Sequence, residues 1–177
     1  MTNEEDIEVF AIVNRHDKII GRTTSKDDLH SLKLLHRGVH VFVGTPDDRI
    51  VIQLKGKNSE NPGKLSSSVS GHVRNGESYL KAAIRETSEE LGIIVCENDL
   101  KVVNKIEPCG ETGNEFVVLY TYLMTDTISS DNFKSEEAEK IIVAPVSHIS
   151  EDIDENRGLY SPAFILLFKK WIELTNV

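Results

Sequence analysis

Glu86, Glu89 and Glu90 crowd into the segment RETSEELG. At 3.6 residues per turn they stand at i, i+3 and i+4, so a helix here presents three carboxylates on nearly one face. Like charges at that spacing destabilise a helix by about 0.2–0.5 kcal/mol per pair. Arg85, four residues before Glu89, can pair with it and relieve part of this. A solvated acidic face is the ordinary reading of a bare acidic run. Hard divalent cations, however, take carboxylate oxygens together with substrate phosphates, and this arrangement suits one. The wider spacing favours the cation: Gly71 is followed by Glu77, Arg85-Glu86, Glu89-Glu90, Gly92 and aliphatic Ile93.

The elements that must position these residues follow from local pattern. Leu80, Ala83, Ile84, Thr87 and Leu91 recur at helical spacing and give the acidic helix an apolar back, and Gly92 stands where a left-handed cap ends it. Ile7 to Asn14 predicts a strand, and His16 to Lys18 a turn into Ile19-Ile20-Gly21. Ser25 caps a short helix reaching Leu35. Gly38–Gly44 and Arg49–Leu54 predict a hairpin around Thr45 to Asp48, and Lys55 to Lys64 a loop with nothing diagnostic in it. Leu65 to Ser70 leads into the glycine turn, and Leu100–Ile106, Phe116–Met124 and Ile141–Val146 are further strands. Ser161–Thr175 predicts a terminal helix with Phe164, Leu167, Phe168, Trp171 and Leu174 on one face. Strands interleaved with helices imply an α+β fold, an α/β/α sandwich with a mixed sheet.

The chain has 177 residues, room for one domain with a full core: residues 1–35 as an N-terminal strand and hairpin extension, 71–93 as the chemical segment, 161–175 as the closing helix. Its residues are 39% hydrophobic and 28% charged, as in soluble globular proteins. No apolar run approaches the roughly 18 residues of a membrane span, and the acidic start MTNEEDIEVF has no basic region before an apolar stretch. A cytoplasmic location without membrane partner is expected. A net charge of −9 opposes binding to a nucleic acid polymer, which needs a basic footprint. Cys96 and Cys109 suggest no metal motif or disulfide framework.

Residues 71–93 match G-x5-E-x7-R-E-U-x-E-E-x-G-U, with Thr87 at a position usually aliphatic. This is the Nudix box, and the chain resembles the Nudix hydrolase superfamily. Outside the box, IVNRHDKIIGRTTSKDDLH, LLHRGVHVFV and SVSGHVRNGES resemble the type I isopentenyl-diphosphate isomerase branch. Where those isomerases carry Cys-x-His, this chain has Ser70 and His72; their upstream histidines are matched by His36 and His30. Their Glu-x-Glu pair reads Gly113-Asn114-Glu115 here, and their C-terminal Trp is replaced in Tyr160-Ser161-Pro162-Ala163. A serine hydroxyl cannot take a thiol's part in protonating carbon, and without the aromatic ring there is no π-face for a carbocation. With the box intact, the resemblance implies a hydrolase on an isomerase-like scaffold.

It further implies Mg²⁺ or Mn²⁺ as cofactor and a small-molecule diphosphate as substrate, a nucleotide or nucleoside diphosphate derivative. Glu86 and Glu90 would ligate metal directly, Glu89 directly or through water, and the Ser70 carbonyl is a further candidate. Arg85 would orient the glutamates, and Glu77 and Gly71 would shape the turn. Candidates for the general base are Glu86, Glu115 and Glu137, in that order. His72 either contacts substrate or is a hydrogen-bonded structural residue. For His36 and His40 the structural reading is preferred, and a transition-metal site from His30, His36 and His72 is not the expectation. The alternatives are an isomerase that tolerates Ser70 and a non-catalytic nucleotide-sensing module.

Overall fold

The computed structural model describes residues 7–125 and 138–175. β1 (Phe10–Val13) and β2 (Ile19–Thr23) form an antiparallel ribbon of their own. Asp17, at φ 56° in its turn, accepts from Arg37 at 2.5 Å and Tyr79 Oη at 2.9 Å, tying the ribbon to the rest. α1 (Lys26–Ser31) is capped as expected: the Ser25 hydroxyl accepts from the Asp28 amide at 3.0 Å. It stops short of the predicted Leu35, because Lys33 turns left-handed at φ 52°.

β3 (His36–Gly44), β4 (Arg49–Lys55), β5 (Leu65–Ser66), β6 (Val69–His72), β7 (Lys101–Ile106), β8 (Glu115–Leu123) and β9 (Ala138–Pro145) make a seven-stranded mixed sheet. Its central pairing, β3 with β8, is parallel; the others are antiparallel. α2 (Tyr79–Leu91) covers one face and α3 (Val146–Glu155) and α4 (Pro162–Thr175) the other. Strand alternation makes this possible. Val39, Val41 and Val43 point toward Ala82, Ala83 and Leu91 of α2, while Phe42 points toward Phe164, Leu167, Phe168 and Trp171 of α4. The expected α/β/α sandwich is the observed fold.

α3 departs from expectation. Val146 opens this helix and does not continue a strand, and Val146, Ile149 and Ile153 are its buried residues. Its N-cap is Pro145, with no side-chain cap, so the usual signal for a helix start is missing. Leu174, placed on the buried stripe of the last helix, is half exposed. No helix among the described residues is long and apolar enough to cross a membrane.

Candidate active site

The acidic helix is built as its sequence requires. Ser78 is extended at φ −86°, ψ 158° and accepts from the Lys81 amide at 3.2 Å, and Gly92 ends α2 at φ 67°. Thr87, where the motif prefers an aliphatic, is fully buried; its hydroxyl donates to the Ala83 carbonyl at 2.7 Å, which satisfies it. Glu90 is not on a solvated face: it is buried, and Gln53 of β4 donates to its Oε2 at 2.6 Å.

Arg85 holds the cluster together. Its Nε and Nη2 donate to the two oxygens of Glu77 at 3.0 Å each, its Nη1 to Glu86 at 2.7 Å and Glu89 at 3.0 Å, and its Nη2 to the His72 carbonyl at 3.1 Å. Glu77 also accepts from the Arg74 amide at 3.0 Å, closing the glycine turn. Gly71 is required for volume: a Cβ there would lie 2.2 Å from Cδ of Glu86. One guanidinium is thus shared among three carboxylates. Burial lifts the Glu86 carboxyl above its ordinary value; Arg85 opposes this, and the neighbouring Glu89 and Glu8 add to it. A carboxylate set short of positive charge fits a divalent cation.

Glu86, Glu89 and Glu90 line a cavity of about 850 Å³. Ser70 of β6 and Lys55 of β4 line it too. The Lys55 ammonium is buried with no hydrogen-bond partner among the described residues. Ala163 occupies the rim, where the isomerases' aromatic ring has no counterpart.

A second cluster lies in the same cavity. His30 of α1, His36 of β3, His72 of β6 and Glu115 of β8 bring ligand atoms within 4.8 Å of one another. The three rings are 5.1–5.3 Å apart. Strand register assembles it: His36 pairs with Glu115 across β3–β8, and Gly38 pairs with His72 across β3–β6. Gly38 again supplies volume, since a Cβ there would lie 2.0 Å from Oε2 of Glu115.

His36 Nδ1 donates to the Leu34 carbonyl at 2.7 Å, which directs Nε2 at the Glu115 carboxylate, 3.2 Å away. A ring anchored through its far nitrogen is the habit of metal ligands. Burial raises the Glu115 carboxyl, but hydrogen bonds and charge from His36 and His72 outweigh it and hold the group well below the usual carboxylate range. Burial lowers His72, and Glu115 with Glu60 overrides this and lifts it above its ordinary value.

The structure brings His30, His36 and His72 together with Glu115 in a group that could hold a metal ion, a neighbourhood the sequence reading did not lead with. His40 does behave structurally: buried, its Nδ1 2.7 Å from the Ser67 hydroxyl. Glu115 falls in the histidine corner rather than beside the box carboxylates, and Glu137 lies outside the described residues. Sequence reasoning missed Gly38, Gln53 and Lys55. The only signal was alternation on β4, which puts Gln53 and Lys55 on one face.

A model of the NUDIX domain matches residues 34–163. The chain belongs to the Nudix family. Its relatives are hydrolases and isomerases alike. An uncharacterised Nudix hydrolase of Yersinia pestis is 34% identical over 88 residues, 49% of this chain and 48% of that protein. An isopentenyl-diphosphate Δ-isomerase of Photorhabdus laumondii is 33% identical over 86 residues, 48% of each. The chain thus spans about half the length of these two relatives. A prenyl-diphosphate phosphatase of Methanosarcina mazei is 26% identical over 167 residues, 91% of this chain and 95% of that one. A crystal structure from Deinococcus radiodurans shares the fold with a TM-score of 0.71, at 22% identity over 84% of this chain and 90% of that one.

Proposed function

We propose that this Nudix protein hydrolyses a phosphoric anhydride with the help of Mg²⁺ or Mn²⁺ held by Glu86, Glu89 and Glu90. The observation that carries this reading is the excess of carboxylate over cation around Arg85, pressed into the space that Gly71 leaves open. A hard divalent ion bound there supplies neutralisation of phosphate oxygens and a more acidic water. Arg85 occupies Oε1 of Glu86, so Oε2 is the oxygen free to take a proton from water. Burial already raises the proton affinity of Glu86, whereas Glu115 is held ionised by histidines and is the poorer base. The unpartnered Lys55 ammonium is placed to meet a phosphate oxygen inside the cavity.

Either a nucleoside diphosphate derivative or an isoprenyl diphosphate supplies the anhydride. The match to a prenyl-diphosphate phosphatase along most of both chains favours the isoprenyl diphosphate. Ser70 and Ala163 in place of thiol and indole favour hydrolysis over isomerisation.

The test is hydrolysis of matched panels of nucleoside and isoprenyl diphosphates with Mg²⁺ or Mn²⁺, read as release of phosphate together with the corresponding monophosphate. Turnover is expected on the isoprenyl panel and is abolished by chelator. Conversion of isopentenyl to dimethylallyl diphosphate without phosphate release would establish the isomerase alternative. Silence on both panels in the presence of either metal would leave a binding module.

A further inference from the structure

The histidine corner is short of one carboxylate by comparison with the paired Glu-x-Glu that the sequence resemblance implies: Gly113 stands where that residue would be. A different segment reaches the gap. Glu60, in the loop between β4 and β5, places Oε1 2.6 Å from Nε2 of His30 and 3.8 Å from Nε2 of His72. Among the described residues His30 Nε2 makes no hydrogen bond, and His72 Nε2 none beyond its 3.4 Å approach to Oε1 of Glu115; both atoms are shut off from solvent. The close approach of Glu60 to His30 is therefore off the hydrogen-bonding direction. A hydrogen-bonded pair point at each other, whereas two ligands of one ion point at a common third position, about 2.0–2.2 Å from each.

The loop that carries Glu60 is braced. The Lys55 amide donates to the Lys64 carbonyl at 2.8 Å and the Gly63 amide to the Lys55 carbonyl at 2.9 Å. The Ser59 hydroxyl donates to the Gly56 carbonyl at 2.8 Å, and the Lys64 ammonium to the Gly158 carbonyl. Gly63 makes the turn at φ 72°. Glu60 is held over the cluster by a folded arm.

We propose that Glu60 is a metal ligand: it stands outside the group formed by His30, His36, His72 and Glu115, whose ligand atoms all lie within 4.8 Å of one another, and reaches that group through His30 and His72. The inference rests on the reading of that cluster as a metal centre, and concerns which residue closes it. Imidazole with carboxylate suits a divalent transition ion such as Zn²⁺ or Co²⁺, and distinguishes this centre from the all-carboxylate site on α2.

The test uses the intact chain and reads metal binding, not turnover. Zn²⁺ affinity is measured by competition with a chromophoric chelator, stoichiometry by elemental analysis, and ligand number by the visible absorption of Co²⁺. Glu60→Gln, of the same shape, is expected to weaken Zn²⁺ at least 10–100-fold, a range reached even by residues behind the ligands, and to change the Co²⁺ spectrum. Glu111→Gln, an exposed residue of the same cavity rim, is the control and is expected to bind as the unaltered chain does. If His36→Ala abolishes binding while Glu60→Gln keeps both affinity and spectrum, the centre stands and the role of Glu60 is overturned. If the unaltered chain takes up no Zn²⁺ or Co²⁺ at that corner, centre and ligand fall together.

Discussion

The carboxylate site and the histidine corner share one cavity but are built in opposite ways. The first is local. Glu86, Glu89, Glu90 and Arg85 come from one helix, and Glu77 from the turn that leads into it, so a single continuous stretch supplies them all. The second is distant: His30, His36, His72 and Glu115 come from a helix and three strands, and only sheet register makes them neighbours. A site carried by one helix tolerates changes elsewhere in the fold. A site carried by register fails when any one strand slips, because a one-residue slip reverses every side chain.

The largest effect that can break this contrast is chemical. Glu90→Gln is expected to lower kcat by about 10²–10⁴-fold, since a catalytic ion contributes several kcal/mol, while leaving Zn²⁺ uptake at the histidine corner unchanged. Loss of both functions together would show that the centres are not separable.

The two glycines come next. Gly71→Ala drives a methyl into Glu86 and Gly38→Ala drives one into Glu115. Each is expected to cost about 1–3 kcal/mol in urea denaturation, the usual toll of overpacking. Their functional losses should be crossed: Gly71→Ala loses turnover and keeps Zn²⁺, and Gly38→Ala loses Zn²⁺. Identical profiles would contradict the assignment of one glycine to each centre.

His40 offers a smaller and pH-dependent effect. Burial lowers it from the ordinary 6.5 to about 4, Glu115 opposing this and Lys55 adding to it. The folded state therefore binds fewer protons than the unfolded chain between those values. Its stability contribution is complete above about pH 6.5 and is lost as pH falls toward 4. At pH 5 the loss is about 2 kcal/mol. His40→Gln should remove that part of the slope between pH 8 and 5 in urea midpoints. An unchanged slope would show that His40 titrates normally. Smallest is Ser78→Ala, which removes the cap of α2 and should cost about 1 kcal/mol, read as a lower melting temperature with unaltered Zn²⁺ uptake.

The same contrast explains what the chain disclosed before it was folded. The box helix was legible as far as its C-terminal cap, because Gly92 and the carboxylate spacing are short-range signals, whereas the Ser78 cap came only with the structure. Strands β3, β4 and β8 were legible from alternation, and with them the sandwich. The histidine corner was not, because residues 30, 36, 72 and 115 share no local pattern and the pairing of β3 with β8 is a tertiary fact. Lys55 and Glu60 looked like ordinary loop charges for the same reason. α3 was overlooked for a different one: Val146, Ile149 and Ile153 have helical spacing, but Pro145 gives no capping signal and the flanking run is polar.

His72 belongs to both constructions. Its ring enters the histidine corner, while its carbonyl receives Arg85, the residue that braces the carboxylates. For anyone re-engineering this protein the peptide at 72 is a shared hinge pin. Substituting the rings of His30 or His36 leaves the contact of Arg85 with the carbonyl at 72 in place, whereas a backbone shift at 72 reaches both groups at once.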